Sequence, residues 1–339
     1  MASSLLSPYA PQTISINFVR GMLSGMTERG LPTTGLLAQA GIAGELLEHA
    51  GARITSDQYV TLFRNTCNHL DDECLGLLSR PFKRGSYALM AQSSLHAPDL
   101  QQAVLRIANT FALLQDDMTM ELVGDHKLAG IALHFIDPRS ASRSLFLHEY
   151  MLRSLWRLLD WLVGGRLPIA RFDFAFEAPG DTVSHSDFFA SPIAFNRPRS
   201  AFWFDARQLQ SPLRVDEMAL RDFLTDPQIK LRVPGPGVDE VSAKVRSHLH
   251  ATKPAWPDLD ATAVELFMSP ASLQRKLAKE GVTFQTIKDE LRRDLAITYL
   301  KTTAMSLKEL ADRLGFSESS AFQRAFKMWT GTAPGSYRR

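Results

Sequence analysis

The stretch SLKELADRLGFSESSAFQRAFKMW, residues 306–329, decides how this chain is read. Leu307, Leu310, Ala311 and Leu314 recur at helical spacing and predict one buried stripe. Gly315 stands where a tight turn needs positive φ, and Ser317 is placed to cap a second helix running to Trp329. The pattern is helix, turn, helix.

Upstream the pattern recurs. Leu273-Gln274-Arg275-Lys276-Leu277 and Phe322-Gln323-Arg324-Ala325-Phe326 share the order apolar-Gln-Arg-x-apolar. In the earlier copy Val264 and Leu266 supply apolar residues, Ser269 is the N-cap, and Pro270 takes the first helical position, where a missing N–H does no harm. Phe267 stands where Gly315 stands in the later copy. Positive φ is disfavoured for so bulky a residue, which predicts a turn of different shape.

Between the copies, Phe284, Ile287, Leu291, Leu295 and Tyr299 form one apolar stripe, with Lys288, Asp289, Glu290, Arg292, Arg293 and Asp294 on the other faces. One helix spans the gap. At about 1.5 Å per residue, Phe284 to Leu300 makes a strut of about 25 Å. With side packing added, this suits two reading helices about 34 Å apart, in successive major grooves of one duplex. Arg offers guanine a bidentate pair of donors and Gln can pair with adenine.

Composition agrees with a folded globular chain of 339 residues, 45% hydrophobic and 22% charged. The length predicts two domains. Net charge is +2, yet residues 237–339 hold 16 of the 38 basic side chains against 12 of the 36 acidic ones. No apolar run reaches the roughly 18 residues of a membrane span, so no membrane partner is expected. Two cysteines, Cys67 and Cys74, make no secreted disulfide framework, which points to the cytoplasm.

The Pro-Gly alternation from Val233 to Gly237 predicts a linker between an N-terminal domain, 1–232, and a C-terminal domain, 238–339. In the first domain Ile14 to Thr27, Tyr59 to Thr66 and Leu100 to Phe111 fit helices. Met118 to Leu122 and Leu128 to Phe135 alternate about Gly124-Asp125, which predicts an antiparallel hairpin. Ser144 to Val163 returns to helix, stopped by Gly164-Gly165. Strands are expected at Ile169 to Phe176 and Ala201 to Phe204. The fold class is therefore an α+β N-terminal domain, helices plus a mainly antiparallel sheet, joined to an all-α C-terminal domain with two helix-turn-helix units.

Other candidates read more simply. Cys67-x-His69-x4-Cys74 lacks an evident fourth zinc ligand, so buried thiols are the better reading. His248 and His250 are spaced too closely to share a helix face. Asp71-Asp72-Glu73 reads as a solvated helix face or a cap, since no nucleophilic or basic partner accompanies it. No P-loop, dinucleotide fingerprint or nucleophile elbow is present, and neither enzyme chemistry nor a metal or other cofactor is expected. Phe111, Phe135, Phe146, Trp156, Trp161, Phe172, Phe174, Phe176 and Trp203 are first of all a core. Phe322, Phe326 and Trp329 are likewise core.

From Met268 through Arg338, the chain resembles the DNA-binding domain of AraC/XylS-family bacterial transcription regulators. The features are Ser272-Leu273-Gln274-Arg275, Arg292-Arg293, Leu307 to Phe316, Ser320-Ala321-Phe322, Arg324 to Lys327, Trp329-Thr330-Gly331, Pro334 and Tyr337-Arg338. The first domain is similar to that of the family's ornithine-utilisation-regulator-like branch, through Phe174-Ala175-Phe176, Phe188, Ile193 to Phe195 and Phe202 to Leu209. This resemblance implies base contacts from Ala271, Gln274 and Arg275 in the first copy and from Ser319, Ser320, Gln323 and Arg324 in the second. Lys276, Lys279, Lys327 and the helix start at Ser306 are placed for phosphates. The resemblance further implies an effector-responsive activator working on double-stranded DNA at the bacterial nucleoid. Its other partners would be a small-molecule effector, RNA polymerase and a second copy of the chain. The effector's identity and its pocket residues stay open. So does the alternative that DNA binding is constitutive and the first domain is a protein-interaction module or a small-molecule enzyme.

Overall fold

The computed structural model describes residues 13–136, 145–179, 189, 191–225 and 241–338. The expected linker, Val233 to Gly237, lies outside the described residues, as do Phe188 and Val238. In chain order the helices are α1 (Ile16–Glu28), α2 (Thr34–Gln39), α3 (Ser56–Leu70), α4 (Ser86–Ser94), α5 (Leu100–Leu114), α6 (Leu145–Leu162), α7 (Glu217–Thr225), α8 (Val241–Ala251), α9 (Leu259–Glu265), α10 (Pro270–Lys279), α11 (Phe284–Thr302), α12 (Leu307–Arg313) and α13 (Ser319–Thr330). The strands are β1 (Thr13–Ser15), β2 (Arg53–Thr55), β3 (Met118–Gly124), β4 (Leu128–Phe135), β5 (Arg171–Asp173), β6 (Ile193–Ala194) and β7 (Ala201–Asp205). The expected fold class is borne out.

The chain divides into two compact units. One holds the described parts of Met1–Ile16, Gly41–Gln58 and Gly235–Arg339, and the other those of Asn17–Ala40 and Tyr59–Pro234.

The larger unit is built on a sheet of order β3-β4-β7-β5-β6, antiparallel except for the β5–β6 pair. The hairpin forms where it was expected. Asp125 accepts from the N–H groups of Lys127 and Leu128 at 2.7 and 3.0 Å, and these backbone donors hold its carboxyl below the usual range. Gly124 sits at φ 144, and a Cβ there would meet the Leu128 oxygen at 2.2 Å, so only glycine closes this turn. Behind the sheet runs α6, which buries Leu147, Leu152, Leu155, Trp156 and Leu159 and stops at Gly164 and Gly165, both at positive φ. Phe172, Phe174, Phe202 and Phe204 are fully buried, and Phe111, Phe146 and Trp156 join the core as expected.

Two expectations in this unit need correcting or completing. Asp72 is buried rather than solvated, because its carboxylate accepts from the backbone N–H groups of Cys74, Gly76 and Phe82 and so staples a loop. Glu73 does act as a cap, taking the N–H groups of Gly85 and Tyr87 at the start of α4. Cys67 and Cys74 are both buried.

The smaller unit is helical apart from one two-stranded ribbon. Val241, Val245 and Leu249 of α8 pack with Ala263, Leu273, Leu277 and Ile287 into a dry cluster. Leu310, Ala311, Leu314, Phe322, Phe326 and Tyr337 form the counterpart around α12 and α13. The ribbon corrects the reading of Ile14, which begins in a strand, not a helix. Thr13, Ile14 and Ser15 pair with Thr55, Ile54 and Arg53, and all three residues of β1 are buried.

This ribbon is fastened to α11. The Arg53 side chain donates to the Thr13 hydroxyl and carbonyl at 2.8 and 2.9 Å, and the Thr13 hydroxyl donates to Asp294 at 2.5 Å. The Arg53 backbone N–H donates to the buried Tyr337 hydroxyl at 3.0 Å. Desolvation is the main cause that raises the Tyr337 phenol above its ordinary value, so the hydroxyl stays neutral and able to accept this bond. Removing a partner from a withdrawn network leaves the others short of hydrogen bonds. Arg53→Ala is therefore expected to cost about 2 kcal/mol of unfolding free energy and Tyr337→Phe about 1 kcal/mol, measured by urea unfolding.

Candidate nucleic-acid interface

Both reading helices are amphipathic in the sense their residues require. Leu273 and Leu277 of α10, and Phe322 and Phe326 of α13, are buried four residues apart. The intervening side chains are thereby turned outward: Ala271, Gln274 and Arg275, with Lys276 and Lys279, are exposed on α10. On α13 Ser320, Gln323, Arg324 and Lys327 are exposed and Ser319 is half-buried. Among the described residues, neither Arg275 nor Arg324 has an ion-pair partner, so both guanidinium groups are available to a ligand. Phe322 and Phe326 are core, as expected, and Trp329 is half-buried beside Phe316 at 5.9 Å between ring centroids.

Caps fix where each helix starts. The Ser269 hydroxyl accepts from Ser272 N–H, with Pro270 in the first turn, as the sequence indicates. Ser306 and Glu309 form a reciprocal capping box at α12, so the Ser306 N–H is already held by the Glu309 carboxylate at 2.7 Å. Ser317 does not cap α13. The N-cap is Glu318, which makes no side-chain bond to the helix backbone and instead accepts from the Ser320 hydroxyl at 3.0 Å. Glu318 thus puts an anion beside Ser320, one of the residues expected to contact bases, and the sequence pattern alone gave no reason to single it out.

The turns overturn one expectation. Phe267 adopts φ 55 and Gly315 φ 74, so the two turns have the same handedness. Their hydrogen bonds match too. Phe267 N–H donates to Val264 and Met268 N–H to Ala263, just as Gly315 donates to Asp312 and Phe316 to Ala311. What differs is the space around them. A Cβ on Gly315 would meet the Trp256 ring at 2.9 Å, whereas Phe267 projects outward and is 98% exposed. The left-handed backbone costs a bulky residue roughly 1–2 kcal/mol, and here it is tolerated without any packing to offset it.

The second unit is held to the strut by Arg292. Its guanidinium lies 5.2 Å from the Trp256 ring centroid and 5.0 Å from that of Phe316, and it donates to the Gly315 carbonyl at 3.3 Å. Burial lowers the Arg292 pKa, yet two aromatic faces still stabilise the cation. Trp256 in turn donates its indole N–H to Arg313 at 3.1 Å, while Lys288 donates to the carbonyls of Trp256 and Pro257 at 2.9 and 3.0 Å. The polar side of α11 is therefore engaged with protein along its length, as Arg246 with Glu290 at 2.5 Å also shows. Sequence reasoning named Arg292 but gave it no role. The available signal was a tryptophan set between Pro254 and Pro257, in a loop otherwise too polar to bury one.

In the larger unit Phe18, Phe63, Phe146 and Tyr150 line a small, partly open pocket, with the buried Glu149 and Arg153 on its α6 side. Desolvation pushes the Arg153 guanidinium down to about 9, so it remains a cation at neutral pH inside an aromatic wall. Among the described residues no helix is long and apolar enough to cross a membrane.

Comparison with known proteins fits this geometry. Residues 30–213 match the model described as the N-terminal arabinose-binding domain of AraC transcription regulators, and residues 262–339 match a helix-turn-helix domain. An ornithine utilization regulator of Pseudomonas aeruginosa is 27% identical, covering 97% of this chain and 97% of its own length. An uncharacterised helix-turn-helix regulator of Mycobacterium bovis is 24% identical, covering 98% of each chain. The transcriptional regulator VqsM of Pseudomonas aeruginosa is 28% identical over 54% of this chain and 57% of its own.

Because Arg292 joins Trp256, Phe316 and the Gly315 carbonyl to α11, Arg292→Ala is expected to cost about 2 kcal/mol of stability in urea unfolding. Arg292→Lys should recover only part of this, since an ammonium lacks the flat face that stacks on aromatic rings.

Proposed function

The chain belongs to the AraC family of DNA-binding transcription regulators, and from that premise we propose how it reads its operator. Helix α10 enters one major groove through Ala271, Gln274 and Arg275, and α13 enters the next through Ser319, Ser320, Gln323 and Arg324. The observation that carries this reading is the pair of exposed Gln-Arg dipeptides, each opposite a buried apolar pair on its own helix, with both guanidinium groups unengaged among the described residues. Arg275 and Arg324 read guanine, the glutamines favour adenine, and Ala271 offers only a methyl contact. Lys276, Lys279 and Lys327 neutralise phosphates and set the register. At Ser306 the capping box leaves only the neighbouring N–H groups of the first turn for a phosphate.

Residues 1–232, apart from the β1–β2 ribbon segments that belong to the smaller unit, act as the effector-binding and dimerisation domain, 233–237 as linker and 238–339 as the reader. Ornithine is the first compound to try, from the name of the 27% identical relative. Loaded with effector, a homodimer recruits RNA polymerase in the cytoplasm, on the nucleoid, and activates transcription. A metabolite shifts the protein only if it binds the two functional states differently, so operator affinity is followed while amino acids are titrated. An operator affinity that responds to none of them favours the interaction-module reading of the first domain.

The direct test is in vitro selection of bound DNA at a stated salt concentration. A pair of short half-sites one turn apart is expected, and unselective binding would refute the reading. On the selected operator, Arg324→Ala should lose about 1–3 kcal/mol and relax preference at one position. Lys327→Ala should weaken all sequences alike and reduce the salt slope by about one unit.

A further inference from the structure

We propose that Glu318 is a positioning residue that sets base specificity through Ser320. By holding the proton of the Ser320 hydroxyl, it leaves that oxygen able only to accept, so α13 reads an exocyclic amino group, adenine N6 or cytosine N4, at one operator position. The inference rests on the reading given above, in which Ser320 faces the bases, and names the chemistry of the edge that is read.

The start of α13 is unlike the four helix starts before it. Asp258, Ser269, Thr283 and Ser306 stand at the N-caps of α9, α10, α11 and α12, and the side chain of each accepts a backbone N–H of its own helix. Glu318 stands at the same place on α13, and its side chain makes no such bond. Its carboxylate instead accepts from the Ser320 hydroxyl at 3.0 Å, and among the described residues it has no ion-pair partner. Both side chains are exposed. A carboxylate on a surface that meets phosphates weakens binding to every sequence alike. It serves recognition only through what it rejects.

The polarity of the bond says what is rejected. A carboxylate has no proton to give, so the shared proton is that of Ser320, and what the hydroxyl oxygen still offers a base is its lone pairs. In the major groove adenine N6 and cytosine N4 donate, whereas guanine O6 and thymine O4 accept. Against an amino group the Ser320 oxygen makes a hydrogen bond. Against O6 or O4 it is desolvated without one. A serine lacking this partner turns its proton to either kind of edge and separates the bases poorly. Two residues after the N-cap of the first reading helix stands Ala271, which has no hydroxyl to fix, and the cap itself, Ser269, is engaged with the helix backbone. Helix α10 therefore has no counterpart of the pair.

The test uses the full-length protein on its selected operator, in competition binding at fixed salt. The position read by Ser320 is the one whose base preference Ser320→Ala abolishes. There the wild type should favour adenine or cytosine over guanine and thymine on the contacted strand by about five- to tenfold. A base analogue with hydrogen in place of the amino group should lose the same factor. Glu318→Ala should bring all four bases within about twofold of one another. Its melting temperature should be unchanged, because no backbone bond is lost, and its affinity for unselected DNA unchanged or higher. In a Ser320→Ala background, Glu318→Ala should alter no preference. The proposal is overturned if Ser320→Ala leaves every preference intact, if the analogue binds as well as the natural base, or if Glu318→Ala keeps the full preference. An effect of Glu318→Ala that persists without the Ser320 hydroxyl would make Glu318 itself the reader, and a lowered melting temperature would make it a cap. Either of these would also overturn the proposal. Arg324→Ala is scored at its own operator position, so failure of the Glu318–Ser320 pair leaves groove reading standing, whereas an unchanged preference in Arg324→Ala refutes that reading as well.

Discussion

Arg292 leaves the strut helix and lies over the rings of both Trp256 and Phe316, and the two halves of the DNA-reading unit are fixed to each other at that point. Phe316 belongs to the turn just before α13, and Trp256 to the loop just before α9, so one side chain ties both helix-turn-helix units to α11. A planar cation suits this place because it stacks on two faces and still donates an edge hydrogen bond, here to Gly315. The same crowding explains why that turn holds glycine, where a Cβ would press on the Trp256 ring. Two reading helices can address one duplex only if their separation is held while the counterions are released. Stiffness in the strut is therefore a condition of function, not only of stability.

A second fastening reaches the strut from far away in the chain. The ribbon formed by Thr13–Ser15 and Arg53–Thr55 meets Asp294 and Tyr337 through a withdrawn polar network. Buried polar groups of this kind add little net free energy when satisfied, but they are costly when half-satisfied. They therefore specify one arrangement. The Thr13 hydroxyl links the ribbon to the helix by donating to Asp294 and accepting from Arg53, which an alanine at that position could not do.

Local pattern made much of this legible. Leu273 and Leu277, and Phe322 and Phe326, stand four residues apart, and such spacing fixes which side of a helix is dry and hence that Gln274, Arg275, Gln323 and Arg324 face outward. The hairpin about Gly124-Asp125 was equally readable, because strand alternation and turn chemistry agree there. Harder to read were the short segments. Three-residue strands such as β1 and β5 carry too few residues for a period to show. Asp72 looked solvated because its partners, from Cys74 to Phe82, are backbone groups, which have no letter in the sequence. At Phe267 side-chain propensity is a poor guide, since the five-back hydrogen bond of Met268 closes the turn on the same geometry as at Gly315.

By itself the sequence determined the two helix-turn-helix units, the direction in which their guanidinium groups face and the α+β character of the rest, because each follows from contacts within a few residues. Only the tertiary structure decided that Arg292 is a stacked joint, that Thr13 and Arg53 are built into the C-terminal unit, and that Glu149 and Arg153 line an aromatic pocket. Those facts depend on which residues distant in the chain become neighbours, and a periodicity confined to one helix carries no information about what its polar side will meet.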